Sequence, residues 1–204
     1  MKTTARSALL FAPVLLVVSS FAQQRQARTS GPSQQETVSW LHDKLLTLGG
    51  LSFTWKGKSP VETTVVLHYT DFKVAATAVE LSSETTVDRS DDSFHDENQT
   101  TERFSLRDLD FDSATTKTYK AGEGAEGCDG MRLFVRGVQP CVQLSIPTIG
   151  RKESVRWEMT HPEFPLGKTG TRAGVYVFFA DPDLASRVLA ALKHAAELSE
   201  PEPF

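Results

Sequence analysis

The sequence predicts an α+β fold: an antiparallel, strongly bent sheet or small barrel, led by an N-terminal helix and capped by a C-terminal helix. Three observations carry this. Apolar residues recur at spacings of three and four near both ends of the chain. Between them, from Leu51 to Ala180, the apolar period changes to two. The segments between the period-two runs are turn formers, not helix-length patterns, which points away from parallel crossover units and toward an antiparallel meander.

The elements follow in order. Residues 23–35 contain almost no bulky apolar groups and read as a flexible leader. Ser33 and Glu36 then fit the S-x-x-E capping box, which satisfies two free backbone donors at a helix start. Val38, Leu41, Leu45 and Leu48 share one face of that helix, with Trp40 beside them, and Gly49-Gly50 supplies a left-handed stop. Candidate strands are 52–56, 63–69, 73–81, 102–109, 115–119, 132–137, 142–146, 154–159 and 174–180. They are rich in Val, Thr, Phe, Tyr and Trp, which suit a pleated, half-buried surface. The separators are 56–60, 122–130, 137–140 and 167–174, all holding Gly or Pro. The closing helix has Asp181 to cap it and Pro182 at its first position. Its stripe of Ala185, Val188, Leu189, Leu192, Ala195 and Ala196 must pack on something, and the sheet ending at Phe179 is the predicted partner.

The first twenty-two residues have the three parts of a secretory signal. Lys2 and Arg6 form a positive start, Ala8 to Val18 an apolar stretch, and Ser20-Phe21-Ala22 a small-x-small site that places the cut after Ala22. The apolar run is shorter than the roughly 20 residues a membrane span needs. The expected organisation is therefore a signal over 1–22, a leader over 23–35, one α+β domain over 36–199 and a disordered tail over 200–204. The expected location is secreted or periplasmic, with membrane contact only through the signal during export. Cleavage leaves 182 of the 204 residues, with 20 basic against 26 acidic side chains, a formal charge of −6. No basic cluster exists to neutralise phosphates, so nucleic acid is not an expected partner.

Cys128 and Cys141 are the only cysteines and form a disulfide candidate in an oxidising compartment. A bridge closing a loop of this size would stabilise the fold by about 3 kcal/mol. The alternative is two buried thiols.

No cofactor is implied. Leu166-Gly167-Lys168-Thr169-Gly170 lacks the leading Gly of a phosphate loop, since Pro162 stands there, and a strand follows where a helix should. Asp108-Leu109-Asp110-Phe111-Asp112 lacks the Gly and Glu of a calcium loop, because Ser113 and Tyr119 occupy those positions. Its carboxylates are expected to serve a turn at Asp110–Ser113. The stretch from Asp88 to Glu97 holds five carboxylates and one imidazole in ten residues. A solvated loop is the ordinary reading of such a run. The alternative is a divalent-cation site using Asp91, Asp92, His95 and Asp96. Asn98-Gln99-Thr100 matches a glycosylation sequon.

None of the five histidines forms H-E-x-x-H; His42 and His194 fall on predicted helices, and His68 sits inside a predicted strand, where a structural role is the default. His161, in a predicted loop, is the first candidate for a general base, with Glu163 or Asp181 as its carboxylate. An ordinary loop histidine is the competing reading. No G-x-S-x-G elbow names a nucleophile.

Thr37 to Leu45 resembles the T-x-x-W-L-x-x-K-L opening of a family of uncharacterised bacterial exported proteins. Asp181 to His194 resembles their closing helix, and Phe104–Asp110 a strand between. That family implies no activity, so no site residue is carried over. The sheet followed by an amphipathic helix also resembles the pleckstrin-homology-like superfold, in which a bent barrel is plugged by its last helix.

The functional expectation is a non-catalytic binding or interaction domain whose ligand is a protein, a peptide or a lipid. The alternatives are an exported hydrolase using His161 and a divalent-cation-binding envelope protein.

Overall fold

A computed structural model describes residues 31–56, 61–119, 124–126, 132–134, 141–162 and 164–199. It begins with helix α1 (Gln34–Leu48) and ends with helix α2 (Pro182–Leu198). Between them lie β1 (Gly50–Lys56), β2 (Glu62–Ala75), β3 (Ala78–Arg89), β4 (His95–Ser105), β5 (Thr115–Tyr119), β6 (Gly124–Glu126), β7 (Arg132–Phe134), β8 (Cys141–Pro147), β9 (Val155–His161), β10 (Phe164–Arg172) and β11 (Gly174–Phe179). A six-stranded sheet has the order β1-β2-β3-β4-β9-β10, a three-stranded sheet the order β11-β8-β5, and β6 pairs with β7. Every pairing is antiparallel. The fold class is thus α+β, as the sequence predicts. The sheet is bent without closing into a barrel. A backbone bridge between Gly49 and Phe179 joins the start of the six-stranded sheet to the end of β11.

The capping box forms as expected. Ser33 Oγ accepts from the Glu36 amide, and the Glu36 carboxylate accepts from the Ser33 amide at 2.7 Å. Leu41 and Leu45 bury the predicted face of α1, whereas Leu48 is exposed, because the chain leaves the helix there for β1. The helix stop also differs from expectation. Gly49 is extended rather than left-handed, and Gly50 carries the positive φ of 126°. A Cβ on Gly50 would lie 2.3 Å from the Leu67 carbonyl oxygen, so close strand approach is what demands glycine here.

Four boundaries differ from the sequence expectation. The strand expected over 73–81 is the tip of the β2–β3 hairpin, turned at Ala76 with a φ of 54°. No Gly or Asn marked that turn. The acidic stretch is not a loop throughout: β3 runs to Arg89 and β4 starts at His95, leaving only 90–94 as the turn. Strand β4 then ends at Ser105, and Leu106–Asp108 is a 3-10 turn. Finally, 167–174 is mostly strand β10. Its Gly170 faces Trp157, whose indole lies where a Cβ would stand at 2.6 Å, so this glycine makes room for a ring rather than a turn. The Asp110 turn is as expected, with its carboxylate accepting from the Ser113 amide and hydroxyl.

The main core joins α1, α2 and both sheets. Leu184, Ala185, Val188, Leu192 and Ala195 of α2 are buried with Val142, Leu144 and Ile146 of β8 and Val175, Val177 and Phe179 of β11. Phe72, Val79, Leu81 and Phe104 continue this cluster onto the six-stranded sheet. The side chains of Gln34 and Ser199 bond to each other at 2.6 Å and both reach the Ala76 carbonyl, tying the outer ends of both helices to the β2–β3 turn. Arg187 of α2 stacks over the Trp40 ring of α1 at 5.2 Å. No helix among the described residues is long and apolar enough to cross a membrane.

Candidate functional site

Side chains alternate across a strand, so each strand of the six-stranded sheet has an inner face toward the core and an outer face. A bulge between Tyr69 and Asp71 shifts this alternation in β2, letting both Tyr69 and Phe72 point inward. Tyr69 Oη there accepts the Phe178 amide at 2.9 Å and ties β2 to β11.

Followed along the inner face, the apolar core stops before the strands do. On β3 it runs through Val79 and Leu81 and gives way to Ser83 and Thr85. On β4, Phe104 and Glu102 are buried, then Thr100, Asn98 and Asp96 are half-buried. On β9, buried Val155 is followed by half-buried Trp157, Met159 and His161. The register sets Tyr69, Ser83, Thr100 and Met159 in one row and Leu67, Thr85 and Asn98 in the next. A band of hydroxyls and one amide therefore lies on the core side of the sheet, flanked by Leu67, Val87 and Met159. A smaller apolar cluster of Val65, Cys141 and Phe178 adjoins it.

Where the core gives way to this band stands a buried ion pair, Glu102 with Arg172. The guanidinium also stacks over the Tyr176 ring at 5.1 Å. Burial pushes the Glu102 carboxyl up, and the Arg172 charge opposes that push. Sequence reading missed this pair. The available signal was parity, since Glu102 shares its strand face with Phe104.

His161 ends β9, and its Nε2 contacts the Asp96 carboxylate at the start of β4. Asn98 Nδ2 donates to the other Asp96 oxygen at 3.0 Å. The carboxylate beside His161 is thus one from the acidic stretch. Asp181 accepts from the Asp183 amide as the α2 cap, and Glu163 lies outside the described residues. A pocket of about 200 Å3, lined by Glu97, Gln99, Thr160, His161 and Pro162, opens beside His161.

The other cation candidates are dispersed. Asp91 accepts from Ser93 within the turn, Asp92 occupies a positive φ of 54°, and His95 points across to Asp88 at 2.6 Å. Among the described residues no three His, Cys, Asp or Glu side chains converge to hold a metal ion. Cys141 is a buried free thiol, pushed up to about 11 by burial. Its candidate partner Cys128 lies outside the described residues. The sequon residue Asn98 sits inside β4, its amide engaged by Asp96.

Comparison of the chain with protein-family models, curated proteins and solved structures finds no match.

Proposed function

We propose that this chain is an exported, non-catalytic binding module of the secreted or periplasmic space, and that it takes an extended peptide segment on the inner-face band of β3, β4 and β9. One observation carries the reading: Ser83, Thr85, Asn98 and Thr100 line up in register on a face that is otherwise core. An inner sheet face usually continues apolar to its end. Here it offers donors and acceptors at the strand spacing of a peptide backbone, with half-buried Met159 beside them for an apolar side chain. The positive start, apolar stretch and small-x-small site of residues 1–22 support export.

Selection from a pool of random twelve-residue peptides displayed on phage tests this. The expected result is enrichment of sequences that alternate polar and apolar residues. A pool that stays unenriched, while phospholipid vesicles bind the protein, would move the ligand to the lipid class.

The Asp96–His161 contact favours a second reading, general-base hydrolysis. A carboxylate that orients an imidazole is what such a base requires. On this reading the protein hydrolyses p-nitrophenyl acetate faster than buffer does, and His161→Gln loses at least tenfold of that rate. A rate for His161→Gln equal to that for His194→Gln sinks it.

A further inference from the structure

Strand β4 opens with two adjacent residues that reach in opposite directions. Alternation sends His95 to the outer face and Asp96 to the inner face. His95 Nδ1 lies 2.6 Å from the Asp88 carboxylate on β3, and Asp96 meets His161 on β9. The first residues of β4 are therefore joined to both neighbouring strands by an imidazole–carboxylate contact, one on each face. We propose that these two contacts pin the start of β4 between β3 and β9, and that the His95–Asp88 contact makes the pin a proton-operated latch, which holds in mildly acidic medium and loosens as the medium becomes alkaline.

The surrounding charges fit. On the outer face Asp88 comes from β3 and Glu97 from β4, and the charge of inner-face Asp96 also reaches His95. On the inner face, Asp96 and Asn98 come from β4. From β10, Lys168 pairs with Met159, two residues along β9 from His161. The hydrogen bond that His95 donates to Asp88, and then the Asp88 charge, hold the imidazole above its ordinary value of 6.5. A group raised in the folded state lends its stabilisation fully below its unfolded value. That stabilisation disappears as pH climbs through the folded value. The His95–Asp88 contact is accordingly closed below the ordinary histidine value of 6.5 and released as pH climbs through the raised folded value. His68 on β2 faces Glu84 on β3 at 3.9 Å and repeats the motif one strand over, at longer range. His42 on α1 faces Asp71 of β2 at 3.9 Å and His194 faces Glu197 of its own helix at 3.9 Å, so neither of these contacts joins β4 to a neighbouring strand, and both residues serve as controls.

The test is amide hydrogen exchange over 93–98 in the mature chain, expressed as protection factors at pH 5.5 and pH 8. Protection in the wild type is expected to be roughly threefold to tenfold greater at pH 5.5. The double variant His95→Gln with His161→Gln should lose that difference, and His42→Gln with His194→Gln should keep it. A difference that survives in the first double variant, or protection that is greater at pH 8 in the wild type, overturns the latch. Should the first double variant not fold, the ring titration of His95 in the wild type decides. A midpoint above 6.5 is expected, and one at or below it overturns the proposal.

Discussion

Phe179→Ala is expected to destabilise the protein by about 3–5 kcal/mol, the range for truncating a fully buried phenylalanine. Phe179 has no exposed surface, closes β11 opposite Val142, and is bridged to Gly49 where β1 begins. It thus stands at a junction of the two larger sheets and belongs to the core shared with α1 and α2. Domains of this size have a total stability of about 5–15 kcal/mol, so the loss is a large share of what exists. Urea denaturation should show the midpoint falling while the slope stays constant, and the melting temperature should drop by on the order of 10 °C. Phe179→Leu, which keeps most of the volume, should cost well under half as much. A Phe179→Ala loss below about 1 kcal/mol would mean that the site collapses around the missing ring, contrary to the close packing of both sheets on α2.

The second large effect concerns Glu102 and Arg172. Arg172→Met leaves a carboxylate buried without its counter-charge, and such losses run to about 3–5 kcal/mol. Glu102 then faces desolvation alone, so its carboxyl rises further and takes up a proton on folding. Its folded value lies above its unfolded one, so the variant recovers stability as pH falls through the raised value. Adding Glu102→Leu removes the orphaned charge and should restore most of the loss, because an apolar pair of similar volume replaces a buried ion pair at little cost. Equal stability of Arg172→Met and the wild type at pH 7 would contradict the assignment of a buried pair. So would a double variant no better than the single.

Helix α2 was the most legible element. A cap, a proline at the first position and an unbroken stripe agree with one another, and Asp181, Pro182, Val188 and Leu192 all take their expected places. The strands were legible where apolar alternation is strong, as in β8 and β11. They were obscured where function-like features stood in for turn signals. The carboxylates of 88–97 read as a solvated run, yet opposite-charge pairing lets Asp88, His95 and Asp96 sit in strands. Gly167 and Gly170 read as a turn, yet one relieves a bulge and the other accommodates an indole. His161 was visible as a candidate, but Asp96 lies 65 residues away in the chain, a distance that only sheet register can close. The hydroxyl band was hidden for the same reason. Ser83, Thr85, Asn98 and Thr100 are unremarkable singly, and become a surface only when β3 and β4 pair.

The most direct measurement of the binding account compares two neighbouring substitutions, Thr85→Lys and Thr86→Lys, in their affinity for the selected peptide. The two positions are adjacent on β3 and pair with Asn98 and Glu97 on β4, so they differ in the face they occupy and little else. Thr85→Lys is expected to lose at least tenfold in affinity, because a lysine on the inner face blocks the band. Thr86→Lys on the outer face should bind as the wild type does. Equal affinity for both variants, or loss only at Thr86, would place the ligand elsewhere and contradict the account.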